Sequence, residues 1–295
     1  MLKLPRQNSG EVAGNLSLTR REFLKWAGAA AAVGVGGTAA YGGLVEAWDY
    51  ELTETVVPVR ELPERFEGFR IAQVSDVHHG RLVPIEEVRR VVELANSARA
   101  DMVALTGDYT TQLRRYVEPC AEALAGLKAS EGVWAVLGNH DHNTDGALTR
   151  QALARRGISV LTNENTVLRR GADALQLAGT DDWGWGYADF QRALKGVDLA
   201  RPAVLLSHEP ISFDMEETRG VSLILSGHTH GGQVNLPVVG SPVKYVWGKY
   251  LRYLRGLHER DDGARLYVSR GTGMIGVPLR VGARPEVAVL RLQRA

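Results

Sequence analysis

The stretch Ile71-Ala72-Gln73-Val74-Ser75-Asp76-Val77-His78 sets the pattern that decides the fold of this chain. A short, mostly apolar run stops at a small hydroxyl residue, and an Asp and a His follow with one residue between them. Such a run reads as a buried strand whose carboxyl end opens into a loop. The device recurs downstream. Met102–Leu105 leads to Gly107-Asp108, and Val133–Leu137 to Gly138-Asn139-His140-Asp141. Ala203–Leu206 leads to Ser207-His208, and Leu223–Leu225 to Gly227-His228-Thr229-His230.

Between these runs the periodicity changes. Ile85, Val88, Val91, Val92 and Leu94 predict a helix over Ile85–Arg99, with Pro84 placed to start it. Tyr116–Leu127 and Gly146–Arg155 read as further helices. Tyr50–Val59 alternates polar and apolar residues as an extended N-terminal strand, and Leu62–Phe69 is a turn-rich connector. Leu175–Ala178, Arg265–Ser269 and Val287–Leu292 are expected in a second sheet. This alternation predicts an α/β sandwich with largely buried strands. In such folds ligands gather beyond the carboxyl ends of strands, so motifs spread from Asp76 to His230 can share one cleft.

The 295 residues are 44% hydrophobic and 23% charged, enough for a sizeable core, and no composition break after residue 45 marks a second domain. A net charge of +1 and the lack of a long basic stripe make nucleic acid an unexpected partner. The single cysteine, Cys120, excludes an intramolecular disulfide. Five of the eight histidines fall in the motifs above. Imidazole and oxygen donors without thiolate suit Mn, Fe, Zn, Co or Ni.

Residues 1–45 have a different character. Thr19-Arg20-Arg21-Glu22-Phe23-Leu24-Lys25 precedes an uncharged, Gly/Ala-rich stretch from Trp26 to Val45. This resembles a twin-arginine export signal, either cleaved near Ala39 or Ala40 or kept as an anchor. It implies the twin-arginine export machinery as a partner and a location in the periplasm or cell envelope. That route carries folded proteins, which suits a metalloprotein and a chain without disulfides.

Taken together, the five motifs resemble the calcineurin-like metallophosphoesterase superfamily. The run Leu225-Ser226-Gly227-His228-Thr229-His230-Gly231-Gly232-Gln233 is similar to its branch of exported bacterial phosphodiesterases. The resemblance spans Glu51 to Leu292. It implies a four-layer α-β-β-α sandwich of two mixed sheets flanked by helices, with a dinuclear metal site at the strand ends. It further implies one metal on Asp76, His78 and His230, a second on Asn139, His208 and His228, and Asp108 bridging both. A carboxylate has two oxygens and can span two cations, which together lower the pKa of a bridging water and grip phosphate oxygens. His140 would stabilise the transition state or protonate the leaving oxygen, with Asp141 orienting it. His79, His142 and His258 are expected to hold no metal.

Two departures stand out. Where the wider superfamily often carries an acid three residues after the motif aspartate, this chain has Thr111. The Asp-Arg-Gly continuation of Ser/Thr protein phosphatases is replaced by Tyr109-Thr110-Thr111, which argues against phosphoprotein substrates. Candidate substrate contacts are the loop Asp181–Tyr187, the aromatic and basic segment Lys244–Arg260, and Arg270, Arg280 and Arg284. The loop and the segment suit the rim of a site for an anionic, partly apolar substrate or a membrane surface. Aromatic rings in such places more often pack onto the core.

The expected function is thus hydrolysis of a phosphodiester, such as a lipid or envelope phosphodiester, by metal-bridging hydroxide. Alternatives on the same site are a phosphomonoesterase and a UDP-diacylglucosamine-type pyrophosphatase, whose cytoplasmic substrate sits badly with an export signal. A non-catalytic binding protein and a DNA nuclease fit less well, because every ligand is present and the charge is near zero.

Overall fold

Strands form at the apolar runs read above and, together with three short or polar strands that those runs did not announce, build two six-stranded sheets. A computed structural model describes residues 20–236, 239–242, 248 and 252–295. The chain divides into two units, Met1–Ala39 and Ala40–Ala295. In the first unit the described residues belong to helix α1 (Arg20–Leu44). Among the described residues no helix is long and apolar enough to cross a membrane.

Within Ala40–Ala295, sheet one contains β1 (Glu51–Val59), β2 (Arg70–Val74), β3 (Met102–Leu105), β4 (Val133–Ala135), β5 (Ser159–Val160) and β12 (Glu286–Arg294), in the order β1-β12-β2-β3-β4-β5. Sheet two contains β6 (Glu164–Arg170), β7 (Asp173–Gly179), β8 (Ala203–Leu206), β9 (Leu223–Ser226), β10 (Gly256–Glu259) and β11 (Arg265–Val268), in the order β10-β11-β9-β8-β7-β6. Both are mixed: β12 is parallel to β1 but antiparallel to β2, while β6 and β10 pair antiparallel at the edges of sheet two. The strands β2, β3, β8 and β9 are buried almost throughout, which is why their sequences lack polar alternation. β1 alternates because it is an edge with one face toward water.

Ile71, Met102, Leu177, Leu206, Leu225 and Leu290 fill the space between the sheets. Helices α2 (Ile85–Ser97), α3 (Val117–Leu124) and α4 (Asn139–Ala154) cover the other face of sheet one through Val88, Val91, Leu124 and Leu153. The outer layer on sheet two is thinner. It consists of the one-turn helix α5 (Phe190–Ala193) and 3₁₀ turns at Pro210–Asp214 and Glu216–Thr218, with Phe190, Phe213 and Ile224 beneath. Four layers result, α-β-β-α.

Two expectations need correction. Val287–Leu292, expected in the second sheet, belongs to β12 inside sheet one, between β1 and β2. Its apolar residues serve both faces, with Ala288 and Leu290 turned to the inter-sheet core and Val287 and Val289 to the helical layer. The third helix starts at Asn139 rather than Gly146, so the Gly138–Asp141 motif forms its first turn. The helical pattern began later because Asp145 leaves the helical conformation, and its Oδ1 accepts from Leu148 N at 2.9 Å, capping the second half anew. Cys120 is buried and unpaired in α3, and burial pushes its thiol up.

Candidate metal centre

Asp76 and His78 follow β2, Asp108 follows β3, Asn139 and His140 open α4 after β4, His208 follows β8, and His228 and His230 follow β9. All seven expected ligands and His140 therefore converge at one end of the two sheets. Asp76, His78, Asp108, His228 and His230 each have φ between 51° and 68°. Non-glycine residues rarely adopt this left-handed backbone, and such strain clusters at functional sites.

Three overlapping groups bring ligand atoms within 4.8 Å of one another: Asp76, His78 and His230; His78, Asp108 and His140; and Asp108, His208 and His228. In the first, His78 Nε2 lies 3.0 Å from His230 Nε2, and His230 Nε2 lies 3.5 Å from Asp76 Oδ1. In the last, His208 Nε2 lies 3.2 Å from Asp108 Oδ2 and 3.2 Å from Asn139 Oδ1, which is 3.1 Å from His228 Nδ1. Asp108 Oδ2 is also 3.5 Å from His78 Nε2, so one carboxylate touches both halves.

The electrostatics favour neutral imidazoles on one side. Burial lowers His78 to about 3, and burial followed by the Arg280 charge holds His230 well below its ordinary value. Burial and then the His208 charge also lower His228. Burial alone would raise the Asp108 carboxyl, but the charge and hydrogen bond of His208 hold it far below the usual range. His208 in turn is raised, because Asp108 outweighs its burial. His208 Nδ1 donates to the Thr106 carbonyl at 2.7 Å, which leaves Nε2 facing the cluster.

Close approach requires glycine at two positions. A Cβ at Gly138 would collide with Asp108 Oδ1, and one at Gly227 with Ser75 Oγ and Asp76 Oδ2.

Asp141 does not do what was expected of it. Its carboxylate accepts backbone N–H groups of Asp108 at 2.8 Å, Tyr109 at 2.9 Å, Thr110 at 3.4 Å and Gly138 at 3.0 Å. It therefore ties the Asp108 loop to the start of α4 rather than orienting the His140 ring. Burial and the Asp108 charge push it up to about 7, against those amides. The His140 amide donates to Asp108 Oδ1 at 2.8 Å, while its Nδ1 is buried without a hydrogen-bond partner. Thr111, the departure from the superfamily pattern, places Oγ1 2.9 Å from His78 Nδ1 and so fixes that ring. The sequence signal for this was its position three residues after Asp108; its partner was not visible.

A groove of about 760 Å³ opens over the cluster, with Asn139, His140, His228 and His230 on its floor. Trp183 and Trp185 from the Asp181–Tyr187 loop line it and are 50% and 63% exposed; Trp183 also lies against the buried Phe190, with ring centroids 6.1 Å apart. None of the candidate arginines lines the groove. Arg280 is fully buried behind His230, donating to the Gly273 and Ala283 carbonyls, to His230 Nδ1 at 3.4 Å and to the His230 carbonyl at 3.5 Å; Arg270 pairs with Glu51 and Glu286, and Arg284 with Asp49 and Glu51. His79 bonds the Val83 carbonyl, His142 bonds Asp181 and His258 the Arg255 carbonyl, all apart from the cluster. Within Lys244–Arg260, Tyr253 packs on Phe213, while Lys244, Tyr245, Trp247, Lys249 and Tyr250 lie outside the described residues.

Residues 69–232 match the calcineurin-like phosphoesterase family. The chain is 33% identical to the metallophosphoesterase YkuE of Bacillus subtilis (strain 168), over 94% of this chain and 98% of that protein. It is 31% identical to the phosphodiesterase YaeI of Escherichia coli (strain K12), over 76% of this chain and 82% of that one. It is also 31% identical to a transmembrane protein with metallophosphoesterase domain of Danio rerio, over 87% of this chain but 60% of that protein. With the family's five motifs meeting around Asp108 and relatives of this likeness along nearly its whole length, the chain belongs to the calcineurin-like metallophosphoesterases.

Proposed function

We propose that the protein is an exported phosphodiesterase that works with two divalent metal ions. The observation that carries this reading is the meeting of five strand ends around Asp108, with ligand atoms within 4.8 Å of one another. Asp76, His78 and His230 would hold one cation, Asn139, His208 and His228 the other, and Asp108 both. The residues fit such ions: the donors are imidazole, carboxylate and amide oxygen, and the His140 Nδ1 is an orphaned polar atom beside them. Bound there, Mn, Fe, Zn, Co or Ni would supply Lewis acidity, drawing in phosphate oxygens and acidifying a water.

The chain's own residues supply the rest. Hydrolysis forms a P–O bond from water and breaks one P–O ester bond, and the leaving oxygen needs a proton. His140, at the first turn of α4, is the donor this reading assigns. Asp141 and Thr111 act as positioning residues, through the Asp108 loop and His78.

Diester specificity is supported by the apolar groove and by the name of the Escherichia coli relative. The export reading rests on Arg20-Arg21 and Leu24-Lys25 before the uncharged stretch Trp26–Val45. In it, residues 1–45 are a cleaved signal or a retained anchor, 46–295 are the enzyme, and the periplasm or cell envelope is the destination. A lipid or other envelope phosphodiester at a membrane surface is then the natural substrate.

The test is turnover of bis-p-nitrophenyl phosphate and p-nitrophenyl phosphate by the metal-loaded protein, with Asp108→Asn as control. The expected result is metal-dependent diester turnover, with Asp108→Asn losing both turnover and bound metal. A preference for the monoester would make the protein a phosphatase instead. Two bound metals without turnover of either compound would end the catalytic reading.

A further inference from the structure

The groove over the cluster has two built walls. On one side Trp183 and Trp185 are held by carboxylates beneath their backbone. Asp182 Oδ1 accepts from Gly184 N at 3.0 Å and Trp185 N at 2.6 Å, and Glu209 Oε2 accepts from Trp183 N at 3.1 Å. Asp181 Oδ2 closes the loop by accepting from Tyr187 N at 3.1 Å. On the other side Ile275 and Val277 are held by the buried side chain of Gln233. Its Oε1 accepts from Ile275 N at 3.0 Å, and its Nε2 donates to the carbonyls of Ile275 at 2.9 Å and Val277 at 3.1 Å. Gln233 ends the same motif that carries His228 and His230, so the metal-binding turn and the apolar wall are one construction.

These walls expose hydrocarbon beside the reaction centre. Val277 is 48% exposed and Trp185 63%, and exposed apolar side chains gathered along one groove, unlike those scattered singly, mark a binding surface. Among the described residues lining the groove there is no Lys or Arg, and the ionisable acid there is Glu209. A substrate with further phosphates would bring negative charge to walls that, among the described residues, offer no cationic side chain to neutralise it. A diester has one charge, which the metal-binding floor accepts, and its ester arm is left to meet the walls.

We propose that the groove seats a hydrocarbon arm of the phosphodiester, and that Trp183, Trp185, Ile275 and Val277 set this preference. The inference rests on the phosphodiesterase reading and adds to it which residues choose the substrate. Gln233, Asp181 and Asp182 keep the walls apart and in place, so the arm binds a preformed slot at little ordering cost.

The experiment uses the full chain loaded with metal and a series of alkyl methyl phosphates, from ethyl to octyl, with binding read by titration calorimetry. Turnover of the matching alkyl p-nitrophenyl phosphates is read in parallel. Affinity and kcat/KM are expected to rise about twofold to fourfold per methylene until the groove is filled. The octyl-to-ethyl ratio should collapse in Trp183→Ser/Trp185→Ser and, from the opposite wall, in Val277→Ser. Affinity that ignores arm length, or a ratio that survives in both variants, would overturn the proposal. If binding follows arm length but no diester is turned over, the groove stands and the phosphodiesterase reading falls.

Discussion

Five left-handed residues in one cluster cost about 1–3 kcal/mol each in backbone strain, and only the packed strand ends on either side can hold them there. His140 is not among them, so it can be replaced with little disturbance of the scaffold. His140→Gln is expected to keep its bound metal and lower kcat about 100-fold or more, measured by metal analysis alongside diester turnover. A parallel loss of metal would make His140 a ligand rather than a proton donor. At this scale the residues that meet in the cluster were legible, because Asp and His at the ends of apolar runs have no core role to fill. The roles of Asp141, Thr111 and Arg280 were not. Asp141 is 33 residues from the Asp108 amide it binds, and a backbone amide leaves no trace in sequence. Arg280 reads as a surface charge, yet its guanidinium is buried against carbonyls.

Among the elements, the long helices and buried strands followed their periodicity. The edge strands β6 and β10 did not, since β6 buries one side chain and β10 none, which leaves no apolar pattern to read. Packing also involves residues just before Glu46. The compact unit starts at Ala40, because the Gly42 carbonyl accepts from Arg280 N at 3.1 Å and the Gly43 carbonyl from the Trp48 indole at 3.0 Å. A chain starting at Glu46 forfeits both bonds, worth about 1–2 kcal/mol together. Its Tm is expected about 2–8 °C below that of a chain starting at Ala40, by calorimetry. Equal values would show that residues 40–45 add nothing to the fold.

The whole molecule is held together by its most distant strand pair: β1 at residues 51–59 runs parallel to β12 at 286–294, and β12 alone joins β1 to β2. No local pattern in the sequence announces this, which is why β12 was assigned to the wrong sheet while its strand character was plain. A chain ending at Pro285 is expected to lose its cooperative thermal transition and to aggregate through the bared edges of β1 and β2, followed by circular dichroism and light scattering. A native-like transition would make β12 dispensable. The same arrangement bears on timing. Contacts of such long sequence separation form late. During synthesis the paired arginines leave the ribosome first, whereas the strand that closes sheet one is among the last segments to emerge. On the export route proposed above, a carrier that accepts only folded cargo must wait for translation to pass residue 294, so the crossing of this chain is a post-translational event.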